Sequence, residues 1–150
     1  MFGNIKVLRS PQDSFFTGAK NLLPAIEILN RPEYCGLEIP ITFLSGQIAE
    51  CLLKAFLSSR GKTEDELRNK PYGHNLINLW KDAVILGLPG TPSPPDWVNE
   101  LHRLHCGSDV NKKFPIRYPM NLNGLVLPKM QQMILGLKLL YEDVDKEIYR

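Results

Sequence analysis

The chain has 150 residues, of which 43% are hydrophobic and 23% charged, with a formal net charge of +2. That length fits one domain with enough core to fold alone, and so small a charge excludes the overall basic character of a chain built to coat nucleic acid. No apolar run reaches the ~18 residues of a membrane span, the first residues lack the charged-then-apolar order of a leader, and Cys35, Cys51 and Cys106 form no close pair. The expectation is a single domain over residues 1–150, cytoplasmic, away from membranes and with reduced thiols.

Ser10 before Pro11 reads as an N-cap followed by proline at the first helical position. Phe15, Ala19, Leu22, Ile26 and Leu29 then follow at helical spacing as one buried stripe. Pro24 interrupts that stripe and should kink or split the helix, because proline lacks the backbone donor and crowds the preceding turn. Pro40 opens a second helix that is apolar on nearly its whole circumference from Ile41 to Leu57, as expected of a helix surrounded by others. Its exception is a polar stripe of Gln47, Glu50, Lys54 and Ser58. Glu50 precedes Lys54 by four residues, the favourable order for a helical ion pair, and on so apolar a helix such a pair is partly buried and needs partners.

Gly61 supplies the stop for that helix. Thr63 and Glu66 have the spacing of a capping box for a short helix ending near Arg68. Lys70-Pro71-Tyr72-Gly73 breaks the chain, and a fourth helix runs from about His74 or Asn75 to Leu86, burying Leu76, Leu79, Trp80 and Ala83, with Gly87 as its end. After the proline-rich residues 89–95, a helix starting at Ser93 or Pro94 carries Trp97, Leu101 and Leu104 and stops at Gly107. Residues 107–127 form the longest irregular segment, of a length that in compact domains tends to carry function. The last helix, from Pro128 to about Tyr149, repeats Met130, Met133, Leu137, Tyr141, Val144 and Ile148, and Leu135, Leu139 and Leu140 widen its apolar face. Only Ile5-Lys6-Val7-Leu8 has a strand-like look.

The run Ala49-Glu50-Cys51-Leu52-Leu53-Lys54-Ala55-Phe56-Leu57, then Gly61, then Gly73-His74-Asn75-Leu76 with Leu79-Trp80 and Gly87, resembles the HEPN superfamily. The similarity is to the branch with glutamate and lysine four apart on the second helix and a Gly-His-Asp-Leu-like start to a later one. Asn75 stands where that branch has aspartate, and Arg117-Tyr118-Pro119 is similar to its arginine-tyrosine segment. The resemblance implies an all-α, up-and-down bundle of about five helices, often a homodimer. Its implied roles are RNA or nucleotide association, a place in a toxin–antitoxin or defence system with a protein partner, and in some members metal-independent RNA cleavage.

Many HEPN ribonucleases carry an arginine, a spacer of roughly four to six residues, then a histidine. Arg68 and His74 fit that spacing formally, with histidine as general base or acid and arginine on the phosphate. Pro71 and Gly73 lie inside the spacer, so the pair should not share a helical turn. The residue pattern therefore leaves two classes open. One is an RNA- or nucleotide-associated protein in which Glu50, Lys54, His74, Arg117 and Tyr118 form a polar cluster and Lys112, Lys113 and Arg117 meet nucleic acid, with cleavage by Arg68 and His74 as its enzymatic variant. The other is a non-enzymatic module in which the cluster fixes the bundle and the last helix dimerises. His102, His105 and Cys106 share a helical face, yet zinc needs a fourth ligand or water, and an ordinary solvated or half-buried face is the simpler expectation. No metal and no cofactor are expected; a P-loop, a catalytic-triad spacing and a paired-cysteine motif are all absent.

Overall fold

The computed structural model describes residues 10–106 and 126–150. These form six helices: α1 (Pro11–Leu29), α2 (Glu38–Ser59), α3 (Glu64–Arg68), α4 (Leu76–Ile85), α5 (Asp96–His105) and α6 (Met130–Tyr149). No strand occurs among the described residues, and Ile5 to Leu8 lie outside them. The short α3, which its capping box predicts and which is little more than one turn, is the helix beyond the roughly five that the resemblance implies.

Helix α2 is the centre of the protein, packing against α1, α4, α5 and α6. By length and composition alone it could cross a membrane, but here its surroundings are other helices. Ile48, Leu52, Leu53, Phe56 and Leu57 are all fully buried, and burying each such side chain contributes roughly 1.5–3 kcal/mol. At ~100° per residue these five fan over about half of the circumference, and the buried Glu50 and Lys54 carry the arc further round, so α2 has a broad buried face in place of one narrow stripe. Pro40 sits in the first turn of α2, where backbone donors have no intrahelical acceptor, so it does no damage. At the other end Gly61 takes φ +97°. The bonds Gly61 N–H to Ser58 O and Lys62 N–H to Leu57 O close a Schellman cap.

Helix α1 stays continuous through Pro24, contrary to the expected split. Pro24 and Lys20, whose carbonyl loses its donor, are both exposed, so the freed carbonyl lies on the solvent side of the helix, where the cost of the missing bond is low. Its buried face is Phe16, Ala19, Leu23 and Ile26, one residue round from the expected stripe, with Phe15, Leu22 and Leu29 at the margin. Phe16 stacks on Tyr141 and meets Tyr149 edge-on, each ring 5.0 Å away, and the Tyr149 hydroxyl donates to Asp13 at 2.6 Å, which ties α6 to α1. The buried line of α6 is Met133, Ile134, Leu137, Leu140 and Val144. Leu135 and Leu139 face outward, 59% and 54% exposed.

Helix α5 lies against α2, α4 and α6 and buries Val98, Leu101, Leu104 and His105. Trp97, at its start, is seated over Gly136 of α6: a Cβ at that glycine would fall 2.4 Å from the indole nitrogen. No side chain larger than hydrogen fits there without moving the ring.

Candidate functional site

Three short segments bring the polar residues together. The polar stripe of α2 places Glu50 and Lys54 one turn apart, and both are buried, while Gln47 and Ser58 are only half-buried. The turn before α4 supplies His74. Asn75 caps α4 by accepting the Asn78 amide on its side chain at 2.9 Å, the same service an aspartate gives, so its departure from the HEPN pattern leaves the cap intact. Asn75 N–H donates to Tyr72 O at 2.8 Å, Asn78 Nδ2 donates to Pro71 O at 2.9 Å, and the Tyr72 hydroxyl donates to Asp82 at 2.6 Å. These bonds fix the turn that presents His74. Gly73, at φ +52°, makes the backbone reversal that a larger residue resists.

The third segment is the end of α5, and it contributes a residue that the sequence reading did not place in the cluster. His105 was expected on a solvated or half-buried face with His102 and Cys106; instead its side chain is 1% exposed and its Nε2 lies 2.6 Å from Glu50 Oε2. Cys106 is the C-cap of α5, and the three residues do not converge as ligands. Two signals were available. His105 continues the apolar face of Val98 and Leu101 at helical spacing, and Gly46 precedes Glu50 by one turn on α2. A Cβ on Gly46 would stand 2.4 Å from His105 Nδ1, so this glycine is the notch that admits the imidazole.

Glu50 is therefore the hub. Its Oε1 accepts from Lys54 Nζ at 2.7 Å, and its Oε2 accepts from His105 Nε2 at 2.6 Å and from His74 Nδ1 at 2.8 Å. The two imidazoles meet edge-on at 5.6 Å. Burial pushes the Glu50 carboxyl upward, but the bonds from His105, Lys54 and His74 outweigh it and hold the group down at about 2. Each imidazole thus presents an N–H to an ionised carboxylate. Burial raises the neighbouring Cys51 thiol to about 11, which keeps it protonated and unreactive at neutral pH.

His74 is the partly open member, with its side chain 44% exposed. It borders an open pocket of about 210 Å³ together with Phe15, Lys54, Glu64, Arg68 and Gly73. Arg68 ends α3 and His74 lies in the following turn, so they share no helix, yet the fold puts both on one pocket wall. Arg68 there is paired with Glu64 at 2.9 Å, an exposed contact that contributes about 0–1 kcal/mol. Lys112, Lys113, Arg117 and Tyr118 lie outside the described residues. No family model, curated protein or solved structure matches this chain.

Proposed function

We propose that the protein is a HEPN-like, RNA- or nucleotide-associated domain whose pocket beside His74 takes a phosphate-bearing group. The observation that carries this reading is the presence of Lys54, Arg68 and His74 on one open pocket. All three are nitrogen donors, and the Arg68–Glu64 pair is exposed enough for a phosphate to compete for the guanidinium. Phe15 adds an aromatic wall on which a base can stack. Formal charges cancel pairwise, Lys54 against Glu50 and Arg68 against Glu64. Binding then rests on placed hydrogen-bond donors, and affinity for a single nucleotide is modest.

Metal-independent RNA cleavage is the second reading, favoured by the Glu50–His74 contact. A buried carboxylate on Nδ1 orients the imidazole, the arrangement seen when histidine acts as a general base. Arg68 on the same wall is available to a phosphate. The experiment is to incubate the protein with single-stranded and structured RNA in chelator, beside His74→Ala and Arg68→Ala. Binding that weakens with salt and in Arg68→Ala, without cleavage, supports the first reading; cleavage lost in both variants supports the second. If neither occurs, the exposed Leu135 and Leu139 favour a protein-interaction module that self-associates through α6.

A further inference from the structure

We infer that Glu50, His74 and His105 form a zinc-binding site, with Glu50 Oε2, His74 Nδ1 and His105 Nε2 as ligands and the fourth position open toward the pocket beside Arg68. The three ligand atoms lie within 4.8 Å of one another, the one such group among the described residues. Two imidazole nitrogens and one carboxylate oxygen are a donor set that zinc uses when it keeps a water or substrate in its fourth position. The inference is independent of the phosphate reading, since it needs only these three side chains.

The present distances belong to a hydrogen-bonded cluster, and the adjustment to an ion is small. Zinc stands about 2.0–2.2 Å from nitrogen and oxygen ligands, so tetrahedral neighbours are roughly 3.3 Å apart. The carboxylate oxygen now sits at 2.6 Å and 2.8 Å from the two nitrogens and must draw back by about 0.7 Å from His105 and about 0.5 Å from His74. Burial decides which parts move. His105 is locked in the Gly46 notch, whereas His74 is half-exposed on a turn and can shift while admitting the ion. Lys54 holds Oε1, which leaves Oε2 as a single oriented donor, the service that outer hydrogen bonds give to ligating carboxylates.

Proton balance is simple. An imidazole that donates its N–H to Glu50 frees that nitrogen either by moving the proton to its other ring nitrogen or, if doubly protonated, by releasing one to solvent. Charge balance is less favourable, because Lys54 already neutralises Glu50 and a dication adds its full charge to the site. The nitrogens must therefore supply the selectivity, which favours zinc over magnesium or calcium, both of which want oxygen ligands.

The test is titration of the purified full-length protein with cobalt(II) and zinc(II). Cobalt should bind one ion per chain with four-coordinate ligand-field bands and no thiolate charge-transfer absorption. Zinc should displace it, with a dissociation constant of about 10 μM or tighter, and should raise the melting temperature. His74→Ala should lose affinity by at least ~30-fold while keeping its helical circular dichroism, and His102→Ala should bind as the parent does. The buried His105 is tested by His105→Gln only if the helical signal survives; His74→Ala decides otherwise. Failure to bind one cobalt, thiolate absorption, or equal affinity in His74→Ala each overturns the inference. Magnesium in place of zinc should cause no thermal shift, and a magnesium shift equal to that of zinc would also overturn it.

Discussion

Replacing Glu50 with glutamine keeps the size of the side chain and removes the charge on which three donors converge. The carboxyl is held at about 2 against an ordinary 4.5. At ~1.36 kcal/mol per pH unit, its ionised form therefore favours the folded state by about 3 kcal/mol. The group is only 7% exposed, so solvent screening takes little from that figure. Because the folded value is depressed, this stability is fully present above about 4.5 and is lost as pH falls toward about 2. Glu50→Gln should be less stable than the parent by about 3 kcal/mol at neutral pH, and by up to ~5 if Lys54 is left charged without its partner. The gap should close on acidification. Urea unfolding followed by far-UV circular dichroism, run on both proteins from neutral pH down into the acid range, measures it. Other carboxylates titrate in both proteins and cancel in the difference. A gap under ~1 kcal/mol, or one that stays constant through the acid range, would refute the reasoning, because either result means that the charge on Glu50 does not hold the network.

Gly46→Ala should cost about 1–3 kcal/mol, since the new methyl displaces the His105 ring from its notch. In a His105→Ala background the same change should be neutral or stabilising by up to ~1 kcal/mol through helix propensity, and an equal cost in both backgrounds would show that the notch is irrelevant. Lys54→Ala should destabilise by about 3–5 kcal/mol, far beyond an exposed ion pair, because it leaves Glu50 buried with less compensation; denaturant unfolding at neutral pH checks it. A thiol reagent applied to the native protein should modify the exposed Cys35 first, with the half-buried Cys51 reacting much more slowly, since burial keeps its thiol protonated. Peptide mapping after a timed quench reads the order directly, and early labelling of Cys51 would contradict its placement.

Local signals carried most of the fold. The Thr63–Glu66 capping box, the Ser10 cap and the Gly61 and Gly87 stops each depend on a few neighbouring residues, and the structure realises them where the spacing put them. The Glu50–Lys54–His74 contact was legible because a charged stripe on an otherwise apolar helix has few places to go. His105 was not. Its partner is 55 residues away, and no local pattern states that a glycine on one helix makes room for a ring on another. That α1 runs unsplit through Pro24 was not legible for a related reason. The cost of proline in a helix depends on whether water can reach the freed carbonyl, and exposure is a tertiary property. Arg68 and His74 were separated correctly along the chain, but their meeting at one pocket, beside Phe15 of α1 and Lys54 of α2, is a matter of tertiary placement.

The two glycine contacts of α5 act as a pair of registration pins. Trp97 sits over Gly136 on α6 near the start of the helix, and His105 over Gly46 on α2 at its end. Sliding α5 by one residue along its axis would shift it ~1.5 Å and turn it by ~100°, lifting both rings from their seats together. For α5 to slide or undock as a rigid helix, both contacts must therefore break together. Indole fluorescence at the far end of α5, where Trp97 also lies 6.3 Å from the ring of Trp80, thereby becomes an optical readout of undocking of the helix that carries His105.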